Sequence, residues 1–280
     1  MNDMTTITTA TAPADDRYTV PALQRGLQLL MQFSREDREL TGAELCRRLE
    51  LPRASVFRML HTLEQSGFVE RVGDSGSYKL GLAVLRLGFE YLASMELTEH
   101  GRPVIDELRD RCGYSAHLVV RDGRDVVFIA KAAGHSALFH SIQIGARLPA
   151  HATVLGRLLL SDLDLAALHH LYPESPLPSY TVRTPTTVEQ LKTLIDQDRS
   201  NGFAVSQGGF ETGISTIAAP VFNDRGEVVA AVSITVPAQR VNDNELPQLI
   251  EQVKLSAAQL SARISHLPTL GARQPSPPKR

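Results

Sequence analysis

At 280 residues the chain is longer than a typical domain of about 100–200 residues and suits two. Its apolar fraction of 42% furnishes two ordinary cores, yet no apolar run approaches the ~20 residues of a membrane span. A net charge of −2 carries no bulk signature of nucleic-acid binding, and two distant cysteines, Cys46 and Cys112, exclude a disulfide framework or a cysteine-based metal site.

Residues 1–19 are polar and Thr/Ala-rich, without the basic start and apolar stretch of a secretory signal. They read as a disordered leader, and the chain as cytoplasmic. Val20-Pro21 opens a helix, Pro being favoured in the first turn. Leu23, Leu27, Leu30 and Phe33 recur at helical spacing and predict one buried face. Thr41-Gly42-Ala43-Glu44 has the form of a capping box, with Thr41 as N-cap and Glu44 reaching back to its amide. The short helix it starts carries Ala43, Leu45 and Leu49 and stops at Leu51-Pro52.

The next helix runs from Arg53 to about Gln65. Val56, Leu60 and Leu63 share one side, while Ala54, Arg58, His61 and Thr62 share the other, with Ser55 on their flank. A small, hydroxylated and basic face suits a helix in a major groove: Arg takes guanine bidentately, Ser and Thr bond bases or phosphate, and Ala permits close approach. On these residues alone an ordinary solvated face stands equally open. Gly67 closes the helix; Phe68–Val72 and Ser77–Gly81 then read as strands around a turn at Asp74-Ser75-Gly76. This order is that of a winged helix-turn-helix, with Arg71, Ser77 and Lys79 of the wing available to the phosphate backbone. Residues 20–82, with nine basic and eight acidic side chains, make it a nearly neutral DNA-binding domain.

The segment resembles the IclR family of bacterial regulators. Val20-Pro21-Ala22-Leu23-Gln24-Arg25-Gly26-Leu27 matches the family's opening motif. The run from Leu49-Glu50-Leu51-Pro52-Arg53 through Met59-Leu60 matches its recognition-helix motif, and Tyr78-Lys79-Leu80-Gly81 the end of its wing. The likeness extends over residues 20–270. It implies DNA-contacting roles for Thr41, Arg53, Ala54, Ser55, Arg58, His61, Thr62, Arg71 and Lys79.

Leu82, Leu85, Phe89 and Leu92 form a narrow apolar stripe in a linker helix over residues 83–96, which suggests packing on another subunit or bridging of domains. The resemblance implies a homodimer, or a dimer of dimers, reading a partly palindromic operator. A second helix carries Val104, Leu108 and Cys112.

Residues 97–267 read as an α+β domain with an antiparallel sheet. Strands are expected at 119–121 and 126–130 around Asp122-Gly123-Arg124, then at 140–144, 203–206, 214–222 and 228–236. Helices are expected at 153–160, 164–172, 188–200 (opened by Thr187 and Gln190) and 244–266, and the Pro-rich tail 268–280 reads as disordered. Two stretches stand out. Ile144–Arg157 is a strand–loop–helix joint, whose helix-start amides favour anionic groups. Thr216, Ser233 and Thr235 alternate with apolar residues on two neighbouring strands and can line one pocket, although hydroxyls in strands are commonly plain half-buried sheet. The family resemblance implies a GAF-like effector-binding domain whose pocket includes Ala137 or Leu138, Val154, Leu155, Ser206, Ile214, Thr216, Ser233 and Thr235. Relatives that bind very small oxo-acids carry Gly-Ala in place of Val154-Leu155 and an acid in place of Ser206. A more apolar pocket follows, fit for an aromatic or other small organic acid.

His135, His140, His151, His169 and His170 crowd within 36 positions but lack any zinc-type spacing; His140 and His151 are the metal candidates. No G-x-S-x-G elbow, P-loop or dinucleotide motif supports an enzyme. A purely architectural DNA-binding protein leaves the large second domain unexplained. No cofactor is expected; the expected partners are double-stranded operator DNA, a small organic acid and a second copy of the chain, with no membrane.

Overall fold

The computed structural model describes residues 19–73, 75–93, 96–134, 142–207, 210, 213–237 and 245–264. The chain divides into two compact units, Met1–Tyr91 and Leu92–Arg280. The expected leader, the tail and Leu138 fall outside the described residues.

In the first unit α1 (Pro21–Leu30), α2 (Gly42–Leu49) and α3 (Arg53–Gln65) pack around Leu29, Leu45, Val56 and Leu60, each at most 1% exposed. Strand β1 (Leu40–Thr41) joins β2 (Val69–Val72) and β3 (Ser77–Leu80) in a three-stranded antiparallel sheet of order β1-β3-β2. The predicted face of α1 needs correction. Of that face Phe33 is buried and Leu30 packs partly buried on the core, but Leu23 and Leu27 are exposed and the helix turns Leu29 inward instead. The face that meets α2 and α3 is thus rotated from the stripe that spacing alone picks out.

The Thr41 hydroxyl does accept the Glu44 amide, at 3.2 Å. Glu44 does not return the bond: its carboxylate is held by Arg47 at 2.7 Å and Arg48 at 2.8 Å. Two guanidiniums outcompete one backbone amide. At the far end of α3, Gly67 at φ 74° permits a Schellman closure, in which the Gly67 amide donates to Glu64 O and the Phe68 amide to Leu63 O. That closure directs the chain into β2. Helix α4 (Leu82–Ala93) follows the wing.

The second unit is built on a six-stranded antiparallel sheet of order β6-β5-β4-β9-β8-β7. Its strands are β4 (Ser115–Asp122), β5 (Asp125–Ala132), β6 (Arg147–Pro149), β7 (Ala204–Gln207), β8 (Ile214–Phe222) and β9 (Val228–Pro237). On one face α5 (Glu96–Cys112) and α9 (Leu246–Arg263) bury Leu108, Val253 and Leu260 against Leu118, Val232 and Ile234. On the other, α6 (Val154–Leu159), α7 (Leu165–Leu171) and α8 (Val188–Asn201) bury Leu158, Leu168 and Leu191 against Phe128, Ala218 and Ala231. With both faces covered, β9 is buried without alternation from Val228 to Val236.

One expected strand is misplaced. Of the predicted 140–144, residues 140 and 141 lie outside the described residues and 142–144 form loop; the strand is β6, pairing with β5 through Val126 and Leu148. Gly145, at φ 85°, turns the chain there and donates to Phe128 O at 2.7 Å. Thr187 caps α8 as expected, accepting the Gln190 amide at 3.2 Å, while the Gln190 side chain accepts the amide of Thr186.

Candidate functional site

The first unit presents the outer face of α3. Arg53, Ala54, Arg58, His61 and Thr62 are exposed and Ser55 is half-buried, while Val56 and Leu60 anchor the opposite side. The Thr62 hydroxyl donates to Arg58 O at 3.0 Å and keeps its acceptor capacity. Thr41 is exposed but spends one acceptor site as N-cap. In the wing, Arg71 pairs with Glu64 at 3.1 Å and lies 5.4 Å from the Tyr78 ring centroid, and Lys79 pairs with Glu70 at 3.2 Å. Both wing cations therefore already carry carboxylate partners. Phe57, which the sequence reading did not single out, is 58% exposed beside Arg58.

The second unit holds a cavity of ≈ 90 Å³ on the sheet face covered by α6. Val154, Leu155, Ser206, Ile214, Thr216, Ser233 and Thr235 all line it. Strand register explains the convergence. Ser206 faces Thr216 across β7 and β8, and Thr216 faces Thr235 across β8 and β9, so three hydroxyls form one row. Ser233, two residues from Thr235, sits in the next row opposite His117 of β4. Phe128, Ile142, Leu148, Thr153 and Phe210 complete the lining. Leu148 and Thr153 belong to the Ile144–Arg157 joint singled out in the sequence, whereas Phe128, Ile142 and Phe210 were not foreseen; Ile142, expected in a strand, sits like Phe210 in a loop.

Helix α6 approaches the turn at Ala150–Ala152 at very short range. A Cβ on Gly156 would stand 2.0 Å from the Ala150 carbonyl oxygen, so only glycine permits this approach. The Thr153 hydroxyl accepts the Gly156 amide at 3.1 Å. That amide, one of the anion-favouring donors anticipated at the helix start, is thereby already occupied. Positive charge comes from elsewhere: Lys131 of β5, across from His117, donates to the carbonyl of Ile142 at 2.7 Å. His117 is held neutral, its pKa pushed down to about 4 by burial first and by the Lys131 charge second.

Only part of the histidine cluster lies within the described residues. His135 and His140 lie outside the described residues; His151 is buried, with Nε2 2.9 Å from Pro178 O and its ring edge-on to Tyr172. Among the described residues no group of three His, Cys, Asp or Glu side chains is placed to hold a metal ion. No helix among them is long and apolar enough to cross a membrane.

Comparison with known proteins agrees with both halves. Residues 22–73 match the IclR helix-turn-helix domain, and residues 89–262 match the bacterial transcriptional regulator IclR C-terminal domain. The Pca regulon regulatory protein of Pseudomonas putida is 34% identical over 238 residues, covering 85% of this chain and 81% of that protein. A crystallised IclR transcriptional regulator from Alicyclobacillus acidocaldarius superposes with a TM-score of 0.78 at 26% identity, covering 88% of this chain and 99% of that one. An IclR homologue from Microbacterium hydrocarbonoxydans, crystallised with 4-hydroxybenzoate, shares the fold (TM-score 0.75, 24% identity, covering 87% and 98%). A winged helix-turn-helix followed by an antiparallel-sheet domain, matched across both parts, places the chain in the IclR family of bacterial transcriptional regulators, which bind DNA and are not enzymes.

Proposed function

We propose that this regulator works as a dimer or dimer of dimers that reads a partly palindromic operator with the outer face of α3. We further propose that it senses a small organic acid, aromatic in type, and controls a catabolic operon from the cytoplasm. The domain roles follow the expected division: residues 20–82 bind DNA, 83–96 link, and 97–267 bind the effector. The observation that carries the sensing role is the two-sided cavity, with a row of hydroxyls from Ser206, Thr216 and Thr235 facing an apolar roof of Val154 and Leu155. An amphipathic pocket of this kind suits a ligand with an apolar body and a polar end. At ≈ 90 Å³ it is smaller than the ~150 Å³ of a cavity that takes benzene. A ring therefore enters as side chains give way, and Ile142 and Phe210 are the lining groups that sit in loops.

The name of the Pseudomonas relative and the ligand of the Microbacterium homologue make benzoate-type acids natural first probes. The test is a gel shift of the purified protein on DNA upstream of its own gene, with and without benzoate, 4-hydroxybenzoate and pyruvate. A bound acid is expected to change DNA affinity by a coupling of about 1–3 kcal/mol, roughly 5- to 150-fold. Thr216→Val combined with Ser233→Ala should remove that response and leave DNA binding intact. Loss of DNA binding in the double variant would instead mark the hydroxyls as structural.

A further inference from the structure

Two polar side chains buried on the pocket face of the sheet have no hydrogen-bond partner among the described residues. His117 is 1% exposed with both ring nitrogens unbonded, and Ser233, also 1% exposed, has an unbonded hydroxyl. They are direct partners across β4 and β9, where facing Cβ atoms stand about 4.5–5.5 Å apart. Ser233 lines the cavity, and the His117 ring meets the lining residue Phe128 edge-on at 5.5 Å. Unsatisfied buried polar groups are rare in folded proteins, and two adjacent ones, Ser233 at the cavity wall and His117 directly beside it, call for a common partner.

The local charge says what kind. Lys131 faces His117 from β5, and its ammonium donates to the carbonyl of Ile142, itself a lining residue. Burial, the larger cause of the lowered His117 pKa, penalises either sign of charge, and the smaller contribution of the Lys131 charge favours an anion over a cation there. Neutral imidazole offers one N–H and Ser233 one O–H, which together match the two oxygens of a carboxylate.

We propose that His117 and Ser233 anchor the carboxylate of the effector at the inner end of the pocket, with its apolar body lying under Val154 and Leu155. This rests on the organic-acid reading above and fixes the direction in which the acid enters. His117 then sets specificity for an acid over its uncharged amide.

Calorimetric titration of the full chain with benzoate, 4-hydroxybenzoate and pyruvate, each beside its amide, tests it in wild type, His117→Leu and His117→Gln. The best-bound acid should lose about 10-fold or more in affinity in His117→Leu, the worth of a hydrogen bond to a charged group, and much less in His117→Gln, which keeps a donor. The amides should bind weakly and alike in all three proteins. Without ligand, His117→Leu should unfold at the wild-type temperature or higher, because an apolar replacement removes an unsatisfied group; a structural histidine would give a lower one. Undiminished acid binding in His117→Leu overturns the anchor alone. A wild-type protein that binds none of the acids overturns the organic-acid reading and the anchor with it. Should His117→Leu not fold, the wild-type imidazole ¹⁵N resonances decide: acid shifts them if His117 is the anchor and leaves them unmoved if it is not.

Discussion

Arg58 projects from the exposed side of α3 while Val56 and Leu60 hold the helix from behind, so its side chain can change without disturbing the core. If it reads a base, Arg58→Ala should cost about 1–3 kcal/mol of operator affinity and relax specificity at one position. An unchanged gel-shift affinity would move the reading face elsewhere. His117 predicts a pH effect of the opposite kind, on stability. Its folded pKa is about 4, against an ordinary value near 6.5 when unfolded, with Lys131 the charged group facing it across the strand pair. Between those values the unfolded chain holds a proton that the folded one refuses. Stability is therefore complete above about pH 6.5 and falls as pH drops toward 4, by roughly 3 kcal/mol over the window. Urea unfolding at pH 7, 5 and 4 should show this slope in the wild type and a clearly shallower one in His117→Gln, where the carboxylates alone contribute. At this scale the sequence was legible where chemistry alternates with apolar residues, as at Thr216, Ser233 and Thr235. It was silent at His117 and Phe128, because one histidine or phenylalanine within an apolar strand looks like core until the cross-strand register is known.

Elements were legible where local chemistry decides them. Thr41, Thr187 and Gly67 marked helix ends that the structure places there, because caps and left-handed closures depend on a few neighbouring residues. The roll of α1 and the place of β6 depend on partners distant in sequence, and there the expectations slipped. The two-residue β1 is another such case: Leu40 and Thr41 pair with Tyr78 and Ser77, tying the start of α2 to the wing. The wing also carries a testable competition. Lys79 and Glu70 face each other across β2 and β3 and form an exposed pair, worth about 0–1 kcal/mol. If Lys79 meets a DNA phosphate, as proposed for the wing, that phosphate displaces the carboxylate, and Glu70→Gln should tighten DNA binding by about 2- to 5-fold. The gain should apply equally to specific and random sequences, since phosphate contacts position without specifying. A gain confined to the operator would show that Lys79 touches a base.

At the scale of the molecule, the first unit leaves apolar side chains uncovered. Leu82, Leu85, Leu87 and Tyr91 of α4 are 54–74% exposed. Single exposed leucines are ordinary, whereas Leu82 and Leu85, one turn apart on the predicted stripe, suit a surface that meets another chain. If α4 is the seam of the proposed dimer, Leu82→Glu with Leu85→Glu should halve the mass measured by sedimentation and weaken operator binding, as two half-sites are no longer gripped together. Equal mass for variant and wild type would remove α4 from the seam.

The segregation of the second unit's sheet into two packed faces bears on how such a sensor can be retuned. The hydroxyl rows point to the α6 side, whereas the residues that hold α5 and α9 to the sheet alternate to the other. A library restricted to Leu155, Ser206, Thr216 and Thr235 therefore varies ligand choice while sparing the opposite core. Gly156 has to stay out of that library, since any side chain there strikes the Ala150 backbone. For biosensor engineering the fold thus supplies a dial and a fixed mount in one sheet.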